Sequence, residues 1–382
     1  MSDKKIIFDG RFLSLSHAGL GRYTLELLNA LLPLDLKQKY ILLVSPNTKF
    51  DKELSRKIYE RENPVEIVEI EARHYSFSEQ YKLLKLLKEL KGDLVHFPHF
   101  NHPLLYKGQF VVTIHDLTLS QYAERGSKIK RNIYKKVIDH AAKKSSRILT
   151  VSDFVKRGIA KEFSLPPDKI VTTYNGIDEK FCKITNPKTL KKVEKYGLKN
   201  PYILSLGQWR EHKNLLRLVE AFSKVSRELD KKRELDLVFV GRDDPKYPFL
   251  KQKIQELHLG SKVRFTGFVE DQDLPVIYNN ATLFVMPSLS EGFGLPGLEA
   301  QACHIPVIAS NATCLPEVYG NGAIYFDPLN STDMALKINE VLSDTKLRDD
   351  LVKRGSENTK RFSWDKTARK TLEVYSDILY KK

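Results

Sequence analysis

The stretch Glu291–Glu299, EGFGLPGLE, sets two carboxylates eight positions apart around three glycines and a proline. It follows TLFVMPS, an apolar run that reads as a strand. It leads into LPGLEAQAC, which reads as a helix with Pro296 in its first turn. Glu291 is then expected on the loop and Glu299 on the helix, about one turn further in. The amides of Phe293, Gly294 and Leu295 are expected to point into the helix mouth, where unpaired N–H groups suit an anion. One carboxylate on sugar hydroxyls, amides on phosphates and the other carboxylate on a ribose would hold a sugar diphosphate end to end. Glycine would be needed because the backbone itself makes contacts. Nothing in the stretch reads as a nucleophile primed by a neighbouring base.

Other residues could serve the same chemistry. Lys213, in LGQWREHKNLLRLVEAF, falls after a strand and at the start of a helix. A cation there, beside helix N–H groups, suits a diphosphate; the plain alternative is a solvated surface lysine. Gly19 and Gly21, in GLGRY, follow the first strand and open a helix, so they read either as a phosphate turn or as a tight strand-to-helix turn. The dinucleotide pattern GxGxxG is not completed, because position 24 is Thr. His115-Asp116 ends the run FVVTI, where a strand delivers side chains to the ligand-binding edge. His96, His99 and His102 have the spacing HxxHxxH, but Pro98 and Pro103 interrupt any regular element, and no acidic or cysteine ligand lies nearby. A metal is not expected there. Asp271-Gln-Asp273 lies just before a helical stretch and reads as capping.

Positioning these residues requires strands that end at one face. IIFDG (6–10), YILLVS (40–45), VEIVEI (65–70), DLVHF (93–97), FVVTIHD (110–116) and RILTVS (147–152) read as strands, with helical stretches such as 23–32 and 77–91 between them. That alternation predicts a parallel, doubly wound sheet. The polar, lysine-rich segment 175–201 interrupts it. The alternation restarts with YILSLG (202–207), LDLVFVG (235–241), KVRFTG (262–267), TLFVMPS (282–288) and IPVIAS (305–310). The α/β reading is therefore two Rossmann-like domains, 1–180 and 201–361, joined by a linker at 181–200 and followed by a closing helix over 362–382. Ligands bind outside the carboxyl ends of such strands, so two sheets in tandem predict a cleft.

Composition agrees with a soluble chain. The 382 residues are 41% hydrophobic and 29% charged, which separates them from disordered sequences. The formal net charge of +15 favours an anionic partner, the alternative being a generally lysine-rich surface. Three cysteines, Cys182, Cys303 and Cys314, lack CxxC spacing and imply a reducing compartment. MSDKKIIFDG lacks the apolar core of a signal peptide, and no apolar run reaches the roughly 18 residues of a spanning helix. A cytoplasmic location follows as the expectation.

Taken together the motifs resemble the retaining glycosyltransferases of the GT-B fold, family-four type. The E-x7-E element matches at Glu291 and Glu299 in PSLSEGFGLPGLEAQAC, and the match continues through IPVIASNATCLPEVYGNGAIYFDP and RFSWDKTARKTLEVY. IIFDGRFL, AGLGRYTLELL, LVHFPH, VVTIHDL, ILTVSDFVKRGI and PPDKI follow the same pattern, so the resemblance covers nearly the whole chain. It looks closest to the mannosyltransferases that extend bacterial O-antigen and related polysaccharides.

The resemblance implies that Glu291 contacts the donor sugar, Glu299 binds the ribose and Lys213 neutralises the diphosphate. Phe293, Gly294, Leu295 and the loop at Gly19 and Gly21 assist, with Gly207, Gln208 and Arg210 lining the donor site. His115 lies beside the reacting sugar, and His99 and Asp116 lie on the acceptor side, in the N-terminal domain. The implied reaction retains anomeric configuration, needs neither metal nor cofactor, and moves a hexose, mannose from GDP-mannose above all, onto a growing or lipid-linked glycan. Three positions depart from the common pattern: Gln208, His212 before the phosphate lysine, and His304 where glycine is usual. Arg210 is the candidate to supply the missing charge.

YKLLKLLKELK (81–91) is amphipathic, with Leu83, Leu84, Leu86, Leu87 and Leu90 on one side and Lys82, Lys85 and Lys88 on the other. The leucines are expected to pack on the sheet. The lysines, with the basic stretch 127–147, are expected to favour peripheral contact with an anionic membrane. A UDP-sugar donor is the alternative on the same scaffold, and a non-catalytic scaffold a remoter one. Nucleic-acid binding is not expected, because no recognisable reading element accompanies the charge.

Overall fold

The computed structural model describes residues 3–13, 18–117, 128–228, 234–241, 244 and 247–380. The chain divides into two units: Met1–Gly176 with Ser363–Lys382, and Ile177–Phe362.

The first unit holds seven strands: β1 (Lys5–Asp9), β2 (Lys39–Val44), β3 (Glu66–Glu69), β4 (Leu94–Phe97), β5 (Phe110–Ile114), β6 (Arg147–Thr150) and β7 (Ile170–Thr172). They pair in parallel in the order β3-β2-β1-β4-β5-β6-β7. Central β4 and β5 are buried along their whole length, as strands covered on both faces must be, whereas edge strand β3 shows an exposed residue at each end. Leu83 and Leu87 of the helix Phe77–Leu90 are buried against this sheet, Leu86 and Leu90 pack beside them, and Lys82, Lys85 and Lys88 stay exposed.

The second unit holds β8 (Tyr202–Leu206), β9 (Asp236–Val240), β10 (Val263–Gly267), β11 (Leu283–Met286), β12 (Val307–Ser310) and β13 (Ala323–Phe326), parallel in the order β10-β9-β8-β11-β12-β13. In each sheet the winding reverses beside its first strand, between β1 and β4 and between β8 and β11. These are the switch points at which open α/β sheets bind ligands. Each unit is the Rossmann-like parallel sheet expected from the sequence. β7 and β13, at the edges, are the two strands that periodicity missed.

The stretch 181–200 is not a bare connector. It forms the short helices Pro187–Leu190 and Lys191–Tyr196 and is stitched into the second unit. Asn279 receives the Ile184 N–H on Oδ1 (2.8 Å) and donates from Nδ2 to the Cys182 carbonyl (2.9 Å). Lys195 and Tyr196 donate to Asp273 (2.5 and 2.8 Å), and Lys180 pairs with Asp271. Asp273 occupies the N-cap position of the helix Leu274–Asn280, yet its side chain makes no capping bond. The capping expectation is therefore corrected: both carboxylates bind lysines instead.

The last helix, Trp364–Tyr380, belongs to the first unit. Thr367 Oγ1 donates to the Tyr174 carbonyl (2.5 Å), and the Tyr375 hydroxyl meets His96 Nδ1. Gly176 makes this docking possible: a Cβ there would stand 2.1 Å from the Trp364 nitrogen and 2.6 Å from the Ser363 carbonyl carbon. Those are backbone atoms that cannot swing away. Gly176→Ala is expected to cost about 1–3 kcal/mol, and to lower the thermal midpoint by roughly 2–4 °C per kcal/mol. An unchanged midpoint in a melting curve would contradict this packing.

Candidate active site

In the second unit, the chain leaving β8 makes a turn whose last residue is Lys213, and the chain leaving β11 becomes the Glu291 loop. Lys213 Nζ donates to Glu291 Oε1 across 2.7 Å, so an ion pair spans the switch point. Both side chains are largely buried, at 19% and 13% exposure. Asn214, in a left-handed conformation (φ 58°), closes the turn after Lys213. Its buried amide donates to the carbonyls of Pro287 (2.9 Å) and Pro328 (2.7 Å). Leu289 N–H donates to the His212 carbonyl (2.7 Å) and joins the two loops. Gly207 has φ 150°, a conformation that favours glycine, and a Cβ there would meet the Lys213 side chain only at ordinary contact distance (3.6–3.8 Å). Gln208 is exposed; Arg210 is half-buried, and its Nε has no hydrogen-bond partner among the described residues.

Glu291 is held by its backbone. Its N–H donates to Thr313 Oγ1 (3.2 Å), and its carbonyl accepts from Cys314 Sγ (3.3 Å). Burial pushes the Cys314 thiol well above its ordinary range, so it stays protonated and able to donate. Thr313 has φ 56°, a conformation β-branched residues rarely adopt. Sequence reasoning gave neither residue a role in the site; nothing in their spacing marks them for one.

Phe293 is buried against Phe362, with ring centroids 5.6 Å apart. The helix Leu295–Ala302 then starts from Gly294 at φ 89°. Tyr319 lies across this start: its hydroxyl donates to the Gly294 carbonyl (2.6 Å), and a Cβ on Gly297 would meet its ring at 2.3 Å. Gly294 and Gly297 thus have a packing reason in Tyr319, beside the ligand contact expected of this backbone. Glu299, one turn into the helix, is buried, and its Oε2 accepts from the Tyr278 hydroxyl (2.8 Å). Lys213, Glu291, Glu299 and Phe293–Leu295 are therefore gathered in one unit around one switch point.

His115, Asp116 and His99 lie in the first unit. His115 follows β5, and its Nε2 donates to the Pro98 carbonyl (2.8 Å). Burial lowers its pKa, outweighing the Pro98 bond and Asp116, so the ring is neutral at pH 7. A neutral imidazole with hydrogen on Nε2 leaves a lone pair on Nδ1, ready to accept from a hydroxyl. The Tyr23 ring stands edge-on to it at 4.5 Å. His96, His99 and His102 diverge: His96 bonds Thr113 (2.9 Å) and Tyr375, His102 bonds the Phe100 carbonyl (2.9 Å) and His140 (3.0 Å), and His99 packs at 5.4 Å from Phe12. Gly19 and Gly21 are residues of the first turns of the helix Ala18–Leu34 rather than of a loop, and neither has positive φ. The helix starts earlier than its apolar periodicity suggested.

Residues 17–181 match the family described as Glycosyltransferase Family 4, and residues 187–358 match Glycosyl transferases group 1. O-antigen chain mannosyltransferase B of Escherichia coli is 29% identical over 97% of this chain and 99% of its own length. O-antigen chain mannosyltransferase RfbU of Salmonella typhimurium is 32% identical over 71% of each chain. Among solved structures, Anabaena HepE in complex with UDP and glucose superposes with a TM-score of 0.74 at 19% identity, over 98% of this chain and all of that one. With both halves matched and the RfbU likeness spanning most of each sequence, the chain belongs to the group 1, family 4 glycosyltransferases.

Proposed function

We propose that this glycosyltransferase moves mannose from GDP-mannose, with retention, onto a growing or lipid-linked glycan of a cell-surface polysaccharide. The observation that carries the site is the Lys213–Glu291 ion pair at the β8/β11 switch point. The mannosyl donor is supported by the likeness to two O-antigen mannosyltransferases.

In this reading Lys213 turns from Glu291 to the diphosphate, with Arg210 and the amides at Phe293–Leu295 sharing the charge. Glu291 is released to accept from sugar hydroxyls, and Glu299 takes the ribose hydroxyls. His115 Nδ1 accepts from a hydroxyl of the reacting sugar. The bond from C1 to the diphosphate oxygen breaks as the acceptor oxygen bonds C1 on the same face, and the acceptor proton passes to the leaving phosphate. Retaining glycosidases instead use a carboxylate as nucleophile; here Glu291 accepts from sugar hydroxyls and forms no bond to C1. Catalysis then rests on positioning and on stabilising the leaving group. Lys and Arg supply the positive charge without a metal.

No helix among the described residues is long and apolar enough to cross a membrane. Cytoplasmic placement, with Lys82, Lys85 and Lys88 against an anionic membrane surface, is part of the proposal.

A thermal-shift panel of GDP, UDP, ADP and their sugar conjugates, without added metal, tests the donor. Stabilisation by GDP and GDP-mannose is expected, by about 2.7 kcal/mol at a hundredfold excess over Kd. Stabilisation by UDP compounds alone would move the donor to a UDP-sugar and sink the mannosyl reading.

A further inference from the structure

The first unit has its own switch point, between β1 and β4, and a second cluster is built there. Asp9 ends β1, and Arg11 follows it. Arg11 Nε and one terminal nitrogen donate to the two Asp9 carboxylate oxygens, each at 2.7 Å, while the other donates to Glu79 Oε1 at 2.7 Å. All three side chains are buried. Glu79 Oε1 also accepts from Asn101 Nδ2 (2.8 Å), and its Oε2 accepts the backbone N–H of Tyr75 (2.6 Å). Ser76 caps the helix Phe77–Leu90, accepting from the Glu79 N–H (3.1 Å). The Ser76/Glu79 pair resembles a capping box, but its carboxylate reaches one residue further back than usual.

The residue so gripped is in an unusual state. Tyr75 has φ 62°, a left-handed conformation that is a clear outlier for a bulky side chain. A helix cap explains Ser76 and Glu79 but not Tyr75, since glycine or asparagine would fill the turn with less strain. Strain of this kind persists where surroundings over-determine it, and it clusters at ligand sites. Here it holds a tyrosine that is 46% exposed. The ring meets Tyr134 at 5.6 Å and His99 at 6.0 Å, both edge-on, and the Tyr75 hydroxyl lies 3.4 Å from His99 Nδ1. His99 Nδ1 also accepts the Asn101 N–H (3.3 Å), so in the neutral ring Nε2 carries the hydrogen and is a donor.

We propose that Tyr75 is a stacking platform for the acceptor saccharide, with His99 as a flanking hydrogen-bond donor and the Asp9–Arg11–Glu79 cluster as the brace that fixes it. A pyranose offers one face of C–H groups to an aromatic ring and a rim of hydroxyls to a neighbouring donor, which is the pairing found here. The assignment rests on the glycosyltransferase reading for its ligand class and identifies the acceptor-binding residue that reading lacks. Tyr75 acts on binding, not on the reacting bond.

The test uses the full chain, α-linked mannose oligosaccharides of two to four units as probe, and GDP binding in the same samples. Tyr75→Gly removes the ring and relieves the left-handed strain; Tyr75→Phe keeps the ring. Saccharide half-saturation, followed by saturation-transfer NMR, is expected to rise at least tenfold in Tyr75→Gly. It should stay within threefold in Tyr75→Phe, with GDP affinity unchanged in both and the Tyr75→Gly thermal midpoint no lower than wild type. Equal saccharide binding by wild type and Tyr75→Gly overturns the proposal, as does no saccharide binding by wild type. A Tyr75→Gly defect confined to flotation with anionic phosphatidylglycerol vesicles also overturns it, and makes the residue a membrane contact. Failure of GDP to bind wild type would instead count against the donor reading.

Discussion

Glu291→Gln is expected to lower the transfer rate by roughly 10²–10³-fold while leaving the fold intact. The amide matches the carboxylate in shape, so the loop keeps its packing. The loop is held by the Glu291 backbone, through Thr313 Oγ1 and Cys314 Sγ, rather than by the side chain. What disappears is the charge that holds Lys213 at 2.7 Å in the resting site and, in the proposed mechanism, orders the sugar hydroxyls. Lys213 is then left without its carboxylate before ligand arrives, so GDP should bind at least as well as in wild type. A drop in kcat with preserved nucleotide affinity is the predicted signature, measured by transfer from GDP-mannose and by calorimetry with GDP. Wild-type turnover by the variant would contradict the assignment.

The first unit is expected to lose stability steeply on mild acidification. Burial pushes His96 down to about 3, with neighbouring His115 adding to the shift, and pushes His102 down to about 4 against the opposing pull of the Phe100 carbonyl. Burial also lowers His99 and His115. A histidine with a folded pKa below its unfolded value binds fewer protons when folded, so stability rises with pH across that window. The contribution is complete above the unfolded value near 6.5 and is lost as pH falls toward the folded values. At pH 5, His96 and His102 should each cost about 2 kcal/mol relative to pH 7. The chemical reason is visible: protonating His96 puts a charge between Thr113 and Tyr375, where no carboxylate among the described residues is bonded to it. Urea unfolding at pH 7, 6 and 5, followed by tyrosine fluorescence, should show a falling midpoint. A flat midpoint over that range would refute the buried neutral histidines.

Much of this was legible in the sequence, for reasons that can be named. β4, β5, β9, β11 and β12 are buried throughout and mostly apolar because helices cover both faces, and such runs stand out. β7 and β13 did not, being three and four residues long and at the edges. The loop-then-helix placement of Glu291 and Glu299 followed from Pro296 and the preceding strand. Their partners did not follow: Lys213 is 78 residues from Glu291, and Tyr319 reaches Gly294 across 25. Contacts of that range come from the order of strands, which local pattern does not encode. The brace on Tyr75 left a trace that was passed over, an S-x-x-E pair at Ser76 and Glu79 opening a helix.

The measurement that bears most directly on the account is a calorimetric titration of GDP into the wild-type chain and into Lys213→Ala. Loss of one charge-assisted contact to a phosphate predicts a Kd raised roughly 10–100-fold, with an unchanged melting profile in the absence of nucleotide. Equal affinity in the two proteins would remove Lys213 from the diphosphate and, with it, the site at the β8/β11 switch point.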